Sequence, residues 1–317
     1  MGTERTAPEL TPRTYRFTDI DEFRSSVSNL AVEFTPLVRR ISAEQTVLNL
    51  AGCSINLTRS FPRIIDGSFA PNCTAIGFTM DDGIPIRFNG VEREESVVVI
   101  GSHGAAYSSV ETVERQYASI VFTPVVENRG WPKAPGIFEM FEASPVAHVR
   151  LREVVRQALF RAPQLASDID ANEASRAIRE SLLAAVDLAF ASAIPVRSGS
   201  QASASRQFKL VRDVDAVLSS SISHPIYSEE LSRQIGAPVR SVHDAIQRFR
   251  GMSLHRYLRL RRLWLVRKRL LEGAESVKAC ALAFGFWHLG DFSAGYHAQF
   301  GETPSETMQR SAGHRRE

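Results

Sequence analysis

Apolar positions change their spacing twice along this chain. Residues 19 to 30, DIDEFRSSVSNL, set Ile20, Phe23, Val27 and Leu30 at helical intervals behind acidic residues that favour a helix N-terminus. From about Phe34 to Pro124 the spacing shortens to strand-like runs, VEFTPLVRRI, TVLNLAG, TAIGFTM, ESVVVIG and YASIVFTPVV, with DDG, FNG and GSHG as turns between them. Many short strands broken by turns predict a β-sandwich or barrel. Helical spacing returns at 144–161 and 172–193. The second of these segments puts Ala177, Ile178, Leu182, Ala185, Val186 and Ala189 on one side, a stripe wide enough to pack on another helix, and a copy of itself is the expected partner.

Periodicity then lapses. In VRSGSQASASRQ, residues 196–207, Ser, Gly and Ala replace it, which predicts a flexible linker between separately folding parts. Everything beyond reads as helix. Ser228 is the expected N-cap of a helix with Glu229 and Glu230 in its first turn and Gly236 at its end. A second helix covers about 239–250 and buries Val242, Ala245, Ile246 and Phe249. A long one runs from Ser253 to about Glu272, a short one is capped by Ser276 and ends near Phe284, and a last one spans Asp291 to Phe300.

Two of these stretches repeat one another. Leu231 and Gly236 match Cys280 and Gly285 at an offset of 49 residues, and Val242, Ile246 and Gly251 match Phe292, Tyr296 and Gly301 at an offset of 50. Each unit is a helix, a Gly-containing turn and a second helix, the pattern of a helix-turn-helix. The glycines permit a sharp reversal, and the second helix packs one apolar face while its other face stays free to enter a DNA major groove.

That geometry picks out candidate contacts. On the first recognition helix the outward residues nearest the N-terminus, Arg240, His243 and Asp244, followed by Gln247, are expected to read base edges. Arg can grip guanine through two hydrogen bonds, and Asp can accept from cytosine N4. The second recognition helix offers Asp291, Ser293, Ala294 and His297, with no Arg or Lys, so it is expected to read fewer bases and to act by position and shape. Residues 245–271 carry nine Lys and Arg and no acidic residue; Arg248, Arg250, Arg256 and Arg259, together with His288, are the expected phosphate contacts. Phe284, Phe286 and Trp287 are expected in the core.

Composition narrows the rest. Apolar residues at 44% and charged residues at 23% describe a globular chain, and no run approaches a membrane span. The polar start has no hydrophobic stretch to act as a secretory signal, so the expected location is the cytoplasm, without a membrane partner. Net charge is +3, but residues 207–317 hold 17 Lys and Arg against 11 Asp and Glu, so the C-terminal third is the part that seeks a polyanion. Cys53, Cys73 and Cys280 are far apart in the sequence, and only His103 and His148 precede the linker. No metal, cofactor or catalytic residue is expected from such spacing.

The tandem units, with Arg262 and Leu263 in the helix between them, then Gly285 and Phe286, Phe292 and Ser293, and finally Phe300, Gly301 and Pro304, resemble the DNA-binding domain of the AraC/XylS transcriptional regulators. The opening FTDIDEFRSSVSNL resembles the sensor domains fused to them. Pro238 and Asp244 depart from the family pattern, which favours a small hydroxyl cap at the first and often a basic residue at the second. The resemblance implies an α+β protein: an N-terminal β-rich, cupin-like sandwich or barrel with helices at 1–195 for effector sensing and dimerisation, the linker at 196–207, and an all-α DNA-binding domain of two helix-turn-helix units joined by a long helix at 208–317. It further implies promoter DNA, RNA polymerase, a small-molecule effector and a second copy as partners, activation as the output, no catalytic activity, and a role for Arg262 in holding the two units together. No effector-binding residue is assigned. The rival expectations are an enzyme with a cupin-like domain and an accessory DNA-binding module, and a non-specific architectural DNA-binding protein.

Overall fold

The computed structural model describes residues 10–27, 30–93, 97–131, 138–168, 170–196, 201–220 and 226–314. They form two compact units, one chiefly from the chain up to Arg197 and one chiefly from Ser198 onward.

The first unit is built on two antiparallel sheets. The larger contains β1 (Arg13–Phe17), β3 (Ala43–Leu50), β4 (Cys53–Ser60), β6 (Thr74–Thr79), β9 (Val97–Ser102), β11 (Arg115–Phe122), β12 (Phe138–Glu142) and β13 (Ile194–Pro195), in the order β1-β3-β4-β11-β6-β9-β12-β13. The smaller contains β2 (Leu30–Pro36), β5 (Arg63–Phe69), β7 (Ile86–Phe88), β8 (Val91–Arg93) and β10 (Ala106–Glu111), in the order β2-β5-β10-β7-β8. Between β1 and β2 lies α1 (Ile20–Ser26), capped by the Asp19 carboxylate, which accepts from the Asp21 and Glu22 amides, with Phe23 buried as expected. After β12 come α2 (Pro145–Asp168) and α3 (Ala171–Ala191).

The two-residue period of a strand sorts side chains between two different interiors. On β6 and β11, Ile76, Phe78, Ala118, Ile120 and Phe122 join one core with Leu151, Val155, Ile178 and Leu182 of α2 and α3. Their neighbours Ala75, Gly77, Tyr117, Ser119 and Val121 face the other way and line a cavity shared with the smaller sheet. The central strands are therefore buried on both faces, and β6 has no exposed residue. Gly77 is required by this packing, because a Cβ there would stand 2.0 Å from the Tyr117 hydroxyl.

Of the five expected strand runs, VEFTPLVRRI, TVLNLAG, TAIGFTM, ESVVVIG and YASIVFTPVV, each contains one strand, although the first stops at Pro36. Two expectations are corrected. The apolar stripe of α3 does not wait for a second copy: Ile178, Leu182, Ala185, Val186 and Ala189 are spent on α2 and the larger sheet, and Ala177 is exposed. Residues 201–207, expected as linker, are the first turns of α4 (Gln201–Ser220). Ala, Ser and Gln tolerate a helix, and the buried Val211, Val214 and Leu218 further along supply the tertiary packing that makes it one.

His148, on the buried side of α2, meets the edge of the Phe78 ring, and its Nε2 has no hydrogen-bond partner among the described residues. Burial, helped by the Arg152 charge and opposed by Asp82, pushes its pKa down to about 4. The unfolded chain therefore binds one more proton than the fold between about pH 4 and pH 6.5, so this contribution to stability is intact above that window and lost as pH falls through it. His148→Leu should remove about 2 kcal/mol of acid sensitivity in that range. Denaturant unfolding at pH 7 and pH 4.5 checks this, and equal pH dependence in both proteins would show His148 to be protonated in the fold.

Candidate nucleic-acid interface

The second unit continues from α4 with α5 (Ser228–Ile235), α6 (Val239–Arg250), α7 (Leu254–Leu271), α8 (Val277–Ala283), α9 (Leu289–Phe300) and α10 (Pro304–His314). The repeat seen in the sequence is a repeat of helix ends. At the close of α5 the Gly236 amide donates to the Arg233 carbonyl (3.3 Å) and the Ala237 amide to Ser232 (3.1 Å); at the close of α8 Gly285 donates to Leu282 (3.0 Å) and Phe286 to Ala281 (3.0 Å). Both are Schellman closures, and both put the glycine in the left-handed region, at φ 70° and 77°. The second helices end alike, with Gly251 donating to Gln247 (3.0 Å) and Gly301 to His297 (2.9 Å). These terminations cut each unit to the same length and set the angle at which its second helix leaves.

The expected burial of α6 holds: Val242, Ala245, Ile246 and Phe249 face inward, while Arg240, His243, Asp244 and Gln247 are exposed. The His243 imidazole Nδ1 lies 3.6 Å from Asp244 Oδ1, so a cation and an anion sit together on this face when the imidazole is protonated. On α9, Phe292, Tyr296 and Phe300 are buried, and Asp291, Ser293, Ala294 and His297 are exposed. Neither α6, which starts after Pro238, nor α9, which starts after His288, has a side-chain cap. Ser228 is also not a cap; it lies inside α5, one residue after Tyr227.

The basic stretch behaves differently from expectation. Arg250, expected at a phosphate, is 1% exposed. Its guanidinium pairs with Asp215 of α4 at 2.5 Å and lies over the Tyr257 ring, whose hydroxyl donates to the same carboxylate. Arg248 is half-buried and donates to Gln207 Oε1 at 2.7 Å. Only Arg250 is thereby withdrawn from the phosphates; both arginines find partners inside the unit because α4 lies against α6. Arg256 and His288 are exposed, and Arg259 is half-buried with its guanidinium against Gly295 of α9, where a Cβ would meet Nη2 at 2.2 Å.

Arg262 does what the resemblance implies. Its guanidinium lies over the Phe286 ring at 5.3 Å and the Tyr227 ring at 5.8 Å, so it is held by a residue of each unit. The same bracket contains a residue whose expected place was wrong. Trp287 is 65% exposed, not core, and its indole N–H donates to the Tyr227 hydroxyl at 3.3 Å. Phe284 and Phe286 are buried and hold the turn without it. Nothing in the spacing of Tyr227 and Trp287 marks the pair, because they are 60 residues apart.

Comparison with known proteins fits this geometry. Residues 231–310 match the family described as a helix-turn-helix domain. The XylDLEGF operon transcriptional activator 1 of Pseudomonas putida is 36% identical over 74 residues, 22% of this chain and 22% of that protein. The HTH-type transcriptional activator RhaS of Pectobacterium atrosepticum is 32% identical over 90 residues, 27% of this chain and 32% of that one. Among solved structures, that of a probable AraC family transcriptional regulator from Rhodopseudomonas palustris is 37% identical and covers 32% of this chain and 97% of its own, with a TM-score of 0.30. The chain thus spans about a fifth to a third of the length of these curated relatives. Its C-terminal unit carries a helix-turn-helix domain of the AraC/XylS type.

Proposed function

We propose that this protein is a sequence-specific DNA-binding transcription regulator, an activator that recruits RNA polymerase under control of a small-molecule effector, and that it acts by binding rather than catalysis. The observation that carries the reading is the pair of identically terminated units on one long helix, each presenting an uncapped second helix with an exposed polar face. Helix N-termini of this kind favour phosphate, and their first turns reach base edges. Arg240, His243, Asp244 and Gln247 read bases, with Asp291, Ser293, Ala294 and His297 contributing fewer contacts. Arg248, Arg256, Arg259 and His288 serve as phosphate contacts.

The first unit is the effector and dimerisation domain. Val146, Val149 and Phe160 are exposed along one side of α2, which supports a second copy seated there. Selection from a random DNA pool by the full-length protein tests the regulator reading: an enriched motif covering adjacent major grooves supports it, and equal affinity for all sequences at fixed salt removes it.

Within that reading Arg240→Ala should relax preference at one base pair, costing about 1–3 kcal/mol there. Arg256→Ala should leave preference unchanged and reduce the magnitude of d log K/d log[salt] by about 0.9. Binding isotherms on single-base variants of the selected site, over a salt series, separate the two effects. A uniform loss of affinity with Arg240→Ala would move that residue to the phosphates.

A further inference from the structure

Among the described residues of the second unit, Trp287 is the most exposed large apolar side chain, at 65%, and Tyr227 follows at 50%. Water is a costly place for an indole, which carries one of the largest apolar surfaces of any side chain. The core beside it is already filled by Phe284, Phe286 and Phe292, and the turn is closed by backbone hydrogen bonds from Gly285 and Phe286. Neither asks for a tryptophan at this position.

The ring is nevertheless held. Its N–H donates to the Tyr227 hydroxyl at 3.3 Å. The Tyr227 ring is itself fixed by the Arg262 guanidinium at 5.8 Å, which also covers Phe286, the neighbour of Trp287, at 5.3 Å. The indole is thus tethered at its polar edge while most of its apolar surface stays in solvent. A side chain fixed in advance loses little freedom when a partner arrives, so this arrangement favours binding.

Its surroundings name the partner. Trp287 directly precedes His288, the N-cap of α9, so it stands where the turn delivers the second recognition helix. Such helices present their N-termini to base edges in the major groove, which puts the residue ahead of the N-cap at the groove edge. The first turn of α9 is open there, since no side chain beyond its immediate neighbours comes within 4 Å of a Cβ placed on Gly290. Asp291, Ser293, Ala294 and His297 complete the exposed face without a Lys or Arg, so it is poorly equipped to grip guanine. The major groove carries one apolar mark, the C5-methyl of thymine, and an aromatic ring is among the groups that read it. Wedging between base pairs is chiefly a minor-groove device, and here it would break the tether to Tyr227.

We propose that Trp287 reads a thymine methyl at the edge of the half-site bound by the second helix-turn-helix, with Tyr227 positioning its ring. This rests on the second unit being a sequence-specific DNA-binding domain and deepens that reading: where α9 is short of polar contacts, apolar readout takes their place.

Deoxyuridine in place of thymine removes the methyl alone, so the site selected from the random pool supplies the probe. Affinity of the full-length protein is measured with thymine and with deoxyuridine at each thymine of that half-site. One position should lose about fourfold without its methyl, the worth of one buried group of that size. Trp287→Ala should bind the thymine site more weakly and bind the deoxyuridine site equally well as the thymine site, so that the methyl no longer matters. Tyr227→Phe, which keeps the ring and removes the tether, should retain a methyl effect of roughly twofold. Unfolding curves establish that each variant folds; if Trp287→Ala does not, Trp287→Gln takes its place. A destabilised variant loses affinity for both sites alike, so the ratio between them reports the contact itself.

A full methyl effect in Trp287→Ala, a loss that leaves the ratio unchanged, or a half-site in which no thymine methyl counts would overturn the proposal. So would normal DNA binding by Trp287→Ala with loss of transcription by purified RNA polymerase, which would put the indole on the polymerase. A full effect in Tyr227→Phe removes the positioning role. A selected motif without a methyl effect leaves the regulator standing and removes this contact; failure to select any motif removes both.

Discussion

Asp215→Ala should destabilise the second unit by about 3–5 kcal/mol, the loss expected when one partner of a buried ion pair is removed. The carboxylate accepts from the Arg250 guanidinium and from the Tyr257 hydroxyl, and the Arg250 side chain is fully buried. Truncation takes this carboxylate away from both the buried guanidinium and the phenol. For a unit of this size the melting temperature should fall by about 15 °C. The double variant Asp215→Leu with Arg250→Met should recover much of the loss, since replacing both partners by apolar groups of similar volume is often near neutral. The same measurements decide what Arg250 is for. If Arg250→Met leaves stability unchanged and flattens the salt dependence of DNA binding, the arginine touches phosphate after all. A loss below about 1 kcal/mol in Asp215→Ala would also break the argument.

How much of this was legible in the chain depended on whether periodicity and function asked for the same residues. β6 and β11 announce themselves because both of their faces are buried. β4, β5 and β10 do not, since Asn56, Thr58, Arg63, Ser109 and Glu111 point into the cavity and interrupt the apolar alternation that strand reading relies on. The residues that hid these strands are the ones that give the cavity its chemistry. In the second unit the buried faces of α6 and α9 and the positive-φ glycines Gly236, Gly251, Gly285 and Gly301 were readable from spacing. The fate of the arginines was not, because charge counts do not reveal partners contributed by α4, or by Tyr227 far back in the sequence. Nine cations without a neighbouring acid suggested several phosphate contacts, yet Arg250 and Arg267 work inside the unit, where only Arg262 was expected to.

Glu302→Ala carries the same logic to the far end of the unit, where the expected loss is about 2–4 kcal/mol. The segment FGETPSE contains a capping box: the Thr303 hydroxyl accepts from the Glu306 amide at 3.2 Å, and the Glu306 carboxylate accepts from the Thr303 amide at 2.6 Å. Those bonds also hold the Glu306 carboxyl below the usual carboxylate range. Glu302 stands just before this box and gathers three helices. Its Oε1 accepts from Arg267 of α7, from Thr307 of α10 at 2.8 Å and from Arg310 of α10 at 3.0 Å, while Thr307 is hydrogen-bonded to the Tyr296 hydroxyl of α9 at 2.8 Å. Arg267 also lies over the Phe300 ring at 4.7 Å, so removing Glu302 strands a cation that is packed against the end of the second recognition helix. Amide exchange should rise along α9 and α10 and stay unchanged along α5 and α6, and the DNA footprint should contract toward the half-site of the first helix-turn-helix. Glu302→Gln keeps an acceptor in place and loses only the charge, so it should cost about half as much. Uniform exchange across the whole unit, or a full-length footprint with Glu302→Ala, would mean that α9 is positioned by its apolar face alone.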